Sequence, residues 1–432
     1  MRRLLLPLGL AAACSPLFLS SPAAAQNRPD AAAGVTTTPA TAVATGVATA
    51  EPAGPLTLEA ALALAAAGNF TLSAAGREVD ASEGAIMQAR TIPNPELATL
   101  VEDTSRSTRT STALLNIPIE LGGKRSARIA AAERGREAAQ AALGGIRADL
   151  RAAVIEGFFG VLIAQERVRL ATGSVDIAAR GTDAAARRVA AGKISPVEET
   201  KARVEQANAE LELAEATAEL QSARQALAAL WGNATPRFSE AAGDLDALPS
   251  RPAPDALRAA LDEAPGIVAG RVESERRQAL INLERSRQYP DMTLSVGAKR
   301  ENESNRNMAV IGVSIPLPLF DRNQGNLYEA IRRADKAQDE YLATRIRLTN
   351  ELSMASNQLS VSRASAQTLK GTVLPAAEQA YRAATTGFEA GKFNYLDVLD
   401  AQRTLFQARI RYLGVLARTY QSATTIDRIL GR

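Results

Sequence analysis

The sequence contains no histidine, and its single cysteine, Cys14, lies in a leader-like segment at the amino terminus. With neither imidazole nor thiol in the body, the usual nitrogen and sulfur ligands of zinc and copper are missing, so no built-in metal site is expected. The same absences exclude Ser-His-Asp and Cys-His catalysis and leave an enzyme only carboxylate, Lys or Tyr chemistry. No cofactor is implied. Aromatic residues make up 4% of the chain and never interleave with a Lys/Arg run, so a stacking platform for single-stranded nucleic acid is not expected. Charge of one sign is not in excess either: 50 Lys and Arg stand against 47 Asp and Glu, which argues against nucleic acid as a partner. Beyond the leader there is no run of roughly 20 apolar residues, the length a membrane-spanning helix needs. If this chain crosses a bilayer, strands must do it.

What is present fills 432 residues with 46% hydrophobic and 22% charged positions, enough for two units of ordinary domain size. Arg2 and Arg3 precede an apolar stretch over residues 4–13, and Ala23-Ala24-Ala25 closes the segment before Gln26. This is the anatomy of a secretory signal over residues 1–25. A second reading makes Cys14 a lipidated terminus, although Ala11 stands where a lipobox usually carries Leu. Residues 26–55 are Ala, Thr, Pro and Gly with almost no large apolar side chain, which reads as a disordered tether.

The body repeats itself. Ile117-Pro118-Ile119 returns as Ile315-Pro316-Leu317, offset by 198 positions, and Ala191-Gly192-Lys193 returns as Ala390-Gly391-Lys392, offset by 199. Two unrelated landmarks agreeing within one residue argue for duplication. Pro95 and Pro290, each opening a strand-like run, differ by 195, which implies hairpin loops of different length. The plan is therefore repeat 1 over 56–232, a linker over 233–254 and repeat 2 over 255–432. Each repeat reads as helix, β-hairpin, very long helix, sharp turn and helix, with first helices over 58–90 and 255–288. The fold class is mainly α with a small β part.

Met292, Leu294, Val296 and Ala298 alternate with Thr293, Ser295 and Gly297; Ala309, Ile311, Val313 and Ile315 alternate with Val310, Gly312 and Ser314. Ser111, Ala113, Leu115 and Ile117 alternate in the same way in repeat 1. Period two predicts strands with one oily face and one small or polar face. A length of roughly ten residues suits a tilted transmembrane strand; the plainer reading is a soluble hairpin packed on a helix. Four strands cannot close a barrel, and open edges are not tolerated in lipid, so several chains must share one. Three copies would supply twelve strands, a reasonable size for a barrel with an open lumen.

Residues 126–189 and 326–389 contain no proline except Pro375 and are rich in Ala, Glu, Gln, Arg and Leu. They read as helices of about sixty residues, on the order of 90 Å long. Leu143, Ile146, Leu150, Ala153 and Gly157 form one stripe, and Ile155, Phe159 and Leu162 an adjacent one. Two stripes imply neighbours on both sides, as in a cylindrical helical wall; a coiled-coil stalk is the simpler alternative. The long helices turn back at Gly192-Lys193-Ile194-Ser195-Pro196 and at Gly391-Lys392-Phe393-Asn394-Tyr395. Asp397 and Asp400 share the face of the following helix, and Glu198 is the repeat 1 residue aligned with Asp397. Helix capping alone accounts for such carboxylates. In a threefold assembly Asp397 and Asp400 would instead form rings of six acidic groups, a constriction that favours cations.

At this level the chain, from about Leu56 to its end, resembles the TolC family of trimeric outer-membrane efflux proteins. The tip from Gly391 to Gln402 is similar to the family's periplasmic-end motif, in which the glycine turn meets a membrane-fusion adaptor and the two aspartates line the entrance. Leu121-Gly122-Gly123-Lys124-Arg125 and the run from Ile315 to Gly325 are similar to the cobalt-zinc-cadmium branch. The resemblance implies a homotrimer with a β-barrel in outer-membrane lipid, a long periplasmic α-helical barrel, an equatorial region at the linker, and docking to an adaptor and an inner-membrane resistance-nodulation-division pump. The expected function is export, of heavy-metal cations first and of organic toxicants or secreted peptides as the alternative. A non-transporting trimeric stalk and a carboxylate enzyme using Asp397 and Asp400 are the remaining readings. Where some relatives place an Arg that ties the entrance shut, this chain has Phe393, so a latch would have to use other contacts, such as Lys193 or Lys392 against Glu198 or Asp397.

Overall fold

A computed structural model describes residues 51–432 apart from Thr104. The expected leader, Cys14 and most of the tether lie outside the described residues. Repeat 1 holds α1 (Leu58–Gly68), α2 (Phe70–Arg90), β1 (Glu96–Glu102), β2 (Thr110–Ile119), α3 (Lys124–Ala190) and α4 (Pro196–Ala229). Repeat 2 holds α5 (Pro254–Ala259), a 3-10 turn (Ala260–Glu263), α6 (Pro265–Ser286), β3 (Met292–Glu301) and β4 (Arg306–Ser314), then α7 (Gln324–Thr368), a π turn (Leu369–Val373), α8 (Leu374–Glu389) and α9 (Tyr395–Leu430). At 67 residues α3 is on the order of 100 Å long.

Several expectations change. The helix expected over 58–90 breaks at Asn69, whose side chain accepts from Leu72 N–H at 2.8 Å as an N-cap and donates to Leu230 O at 2.8 Å. Gly68 is pressed onto Trp231 there: a Cβ would sit 2.7 Å from the Trp231 carbonyl oxygen. Its counterpart over 255–288 is likewise divided, because Pro265 cannot continue the preceding turn but starts α6 well. The second long helix contains a π turn just before Pro375, which absorbs the missing N–H and the ring clash of that proline. The tether ends sooner than 55: the Glu51 carboxylate accepts from Trp231 Nε1, Asn233 Nδ2, Arg237 N and Phe238 N, and Leu56 pairs with Ala241 in a parallel bridge.

The four strands form one antiparallel sheet in the order β1-β2-β3-β4, so the two hairpins are joined through β2 and β3. β1 has seven residues rather than ten. The hairpin registers, Leu97 opposite Leu115 and Leu294 opposite Val313, superpose when the first strand moves by 197 positions (97 to 294) and the second by 198 (115 to 313). Pro290 therefore corresponds to Pro93, not Pro95, and the two hairpins differ by a single residue. Leu97, Leu115, Val296 and Ile311 stand in one row across the sheet, all exposed. The adjoining row on the opposite face is Ala98, Leu114, Gly297 and Val310, and the next is Glu96, Asn116, Ser295 and Gly312, with Ser295 Oγ and Asn116 Oδ1 2.7 Å apart.

Where the helices meet midway along their length, Leu56, Leu64, Val154, Phe158, Val161, Leu227, Trp231 and Phe238 make one core. Val154, Phe158 and Val161 lie between the two stripes read from the sequence. A second core joins Leu257 and Ile267 to Leu348, Leu352, Ile426 and Ile429. The linker is strapped across both repeats. Phe159 stacks on Tyr420 at 3.7 Å, Asp246 accepts from Tyr412 Oη at 2.7 Å and pairs with Lys370 Nζ at 2.9 Å.

Candidate functional site at the hairpin tips

Both tips are closed by the same backbone device. Gly192 and Gly391 adopt φ of 68° and 74°, the left-handed region where glycine carries no side-chain penalty. Lys193 N–H then reaches Arg188 O at 2.9 Å and Gly192 N–H reaches Val189 O at 2.9 Å; the equivalents are Lys392 to Gly387 at 2.8 Å and Gly391 to Phe388 at 2.9 Å. This double closure is a Schellman motif. Ser195 caps α4, its Oγ accepting from Val197 N–H at 3.3 Å, and Pro196 occupies the first helical position. Asn394 caps α9, and Tyr395 is the first residue of that helix.

The candidate residues do not form one acidic cluster within a single chain. Asp397 accepts from Asn394 N–H at 3.0 Å as part of a capping box. Glu198 pairs with Lys201 on its own helix at 3.4 Å. Only Asp400 lines the groove of about 650 Å³ between α4 and α9, together with Val204, Leu396, Lys201, Glu205 and Arg403. Within the single chain the tips are joined by apolar contacts. Ile194 packs into a small core with Ala185, Ala202, Phe388, Val398 and Leu399 that glues the two tips together, while Lys193 and Lys392 are exposed. The Phe393 ring lies against Gly387, where a Cβ would overlap it.

Two further contacts join the repeats near the tips. Arg188 Nη2 donates to Phe388 O at 2.8 Å while its guanidinium lies 3.8 Å over the Phe388 ring, and Arg403 Nε donates to Glu205 Oε2 at 3.2 Å. Sequence reasoning missed both. Each joins positions about one repeat apart, 188 with 388 and 205 with 403, so the offset was the available signal.

The model of the outer membrane efflux protein family matches residues 61–233 and 256–432, which are the two repeats without the strapped linker. The chain belongs to this family. This efflux protein is 74% identical over 356 residues to the cobalt-zinc-cadmium resistance protein CzcC of Cupriavidus metallidurans, covering 82% of this chain and 85% of that one. It is 29% identical over 266 residues to the nickel-cobalt-cadmium resistance protein NccC of Alcaligenes xylosoxydans, covering 60% of each chain. Its fold is shared with the outer membrane protein VceC of Vibrio cholerae, at a TM-score of 0.75 and 22% identity over 87% of this chain and 96% of that one. The efflux protein belongs to a family of channels rather than enzymes, and no group of three or more His, Cys, Asp or Glu able to hold a metal occurs among its described residues.

Proposed function

We propose that this chain is the outer-membrane channel component of a heavy-metal efflux system and works as a homotrimer. The observation that carries the channel is the sheet: four strands with an exposed apolar row, and outer strands β1 and β4 each with one open edge. Lipid does not tolerate an open edge, and three copies closing edge to edge give twelve strands around a lumen faced by Asn116, Ser295 and Gly312. The long helices continue that tunnel through the periplasm. Cations of the cobalt, zinc and cadmium type are the cargo supported by the 74% identity to a cobalt-zinc-cadmium resistance protein.

In this reading the tips, Gly192 to Pro196 and Gly391 to Tyr395, dock on a periplasmic adaptor that connects to an inner-membrane resistance-nodulation-division pump. Asp397, Asp400 and Glu198 line the entrance, with Arg188 and Arg403 holding it narrow. The test is reconstitution in planar bilayers together with expression in a strain lacking its own channel. Heat-resistant trimers, single-channel conductance and restored tolerance to cobalt, zinc and cadmium are expected; a lipid-free monomer that restores tolerance overturns the proposal.

A further inference from the structure

The sheet contains a template for its own completion. β2 pairs with β3 over its whole length, Ile117 opposite Leu294 and Ile119 opposite Met292. Its last three residues have no partner on the β1 side, since β1 begins at Glu96 opposite Asn116. Residues 117–119 are strand only because β3 lies beside them. The repeat 2 counterparts, Ile315, Pro316 and Leu317, lie on the open edge of β4, and the strand stops at Ser314. Yet their side chains continue the alternation of the strand. Ile311, Val313, Ile315 and Leu317 are exposed at successive odd positions, Ile315 by 48% and Leu317 by 76%. At the other edge of the sheet Leu97 is 71% exposed.

We infer that a second copy of this chain supplies the missing neighbour in a definite register: Ile315 opposite Leu97 of the partner subunit, Val313 opposite Thr99 of the partner subunit, and Ile311 opposite Val101 of the partner subunit. The inference rests on the shared-barrel reading above and adds the pairing that closes it. It follows from moving the β2–β3 seam onto the open edges. Ile117 becomes Ile315 by the 198-position shift of the second strands, and Leu294 becomes Leu97 by the 197-position shift of the first strands. The register keeps the apolar row continuous from one copy to the next. A slip of one residue would set that row against the lumen face of the neighbour. It also lengthens β4 through Leu317, so the segment irregular in one chain becomes strand in the assembly. Pro316 takes the place that Pro118 already occupies within β2, opposite Thr293.

Paired cysteines test the register in a Cys14→Ser background. Opposed Cβ atoms lie about 4.5–5.5 Å apart and neighbours two residues off about 7–8 Å, against the roughly 3.5–4.5 Å of a disulfide. One pair is placed on each face because adjacent pairs differ in spacing: Ile315→Cys with Leu97→Cys, and Ser314→Cys with Ala98→Cys. The controls are Ile315→Cys with Val101→Cys and the five single substitutions. After mild oxidation at least one in-register pair is expected to give covalent dimers and trimers on denaturing gels, reversed by reductant, and the control pair none. Cross-linking by the control pair alone overturns the register while leaving the shared barrel standing. Trimers that persist without boiling yet cross-link in no pair overturn it in the same way. Monomers under every condition overturn the shared-barrel reading itself.

Discussion

At Gly297 the two repeats touch through backbone, because a Cβ there would overlap the carbonyl oxygen of Ala113. The atom met is main chain and cannot swing aside. Gly297→Ala is expected to cost at least the upper end of the about 1–3 kcal/mol typical of overpacking, and to reduce trimer recovered from membranes severely; wild-type yield would refute the contact. Glu51 is the opposite case, a charged group that stabilises through its partners. Burial alone would raise its pKa, but hydrogen bonds from Arg237 N–H, Asn233, Trp231 and Phe238 N–H outweigh it and hold the carboxyl below its usual 4.5. A depressed folded value means that the stabilisation is complete above about 4.5 and fades as pH falls through the folded value. Glu51→Ala is therefore expected to lose about 1–3 kcal/mol at pH 7 and distinctly less at pH 3, read from paired thermal melts. An equal loss at both would show that packing, not charge, matters there. Nothing in the Ala, Thr and Pro run before residue 51 announced this anchor, since its partners lie some 180 positions away.

At the scale of the element, the long helices and both tips were legible because their causes are local: helix-forming residues without proline, then glycine and a cap. The breaks at Asn69 and at the π turn were less so, one depending on Trp231 and the other on how the helix around Pro375 is held. The hairpin tips were legible as places, but the separate contacts of their carboxylates were not. The sequence named Asp397 and Asp400 together; the Asp397 carboxylate closes a capping box, whereas Asp400 faces the groove beside Arg403. The two roles separate by substitution. Asp400→Asn is expected to weaken cation preference in planar bilayers without altering the melting temperature, while Asp397→Ala adds a capping loss of about 1 kcal/mol. Unchanged selectivity in Asp400→Asn would remove that side chain from the entrance. Arg188→Ala with Arg403→Ala breaks both links between the tips and is expected to raise single-channel conductance several-fold at unchanged trimer yield. Conductance equal to wild type would assign those links to packing alone.

For the whole molecule, the alternation of each strand could be read one residue at a time, but the joining of hairpins through β2 and β3 could not. That pairing spans nearly two hundred positions and is decided by which edges remain when the repeats pack together. The outcome leaves β1 and β4 each with one edge unpaired within the chain, and leaves Ile311 and Leu317 exposed. In the proposed trimer those edges are completed by neighbours, which ties stability to association and predicts an apparent stability that depends on concentration. Refolding into detergent across a hundredfold dilution series is thus expected to show helix signal and sheet signal behaving differently. Helix content, made largely by contacts within each repeat, should recover early and depend weakly on concentration. The strand signal should appear only with the trimer band and shift its midpoint with dilution. Strand content that recovers fully in dilute monomer would mean that the four-stranded sheet is stable with open edges, and the case for a shared barrel would lose its physical basis.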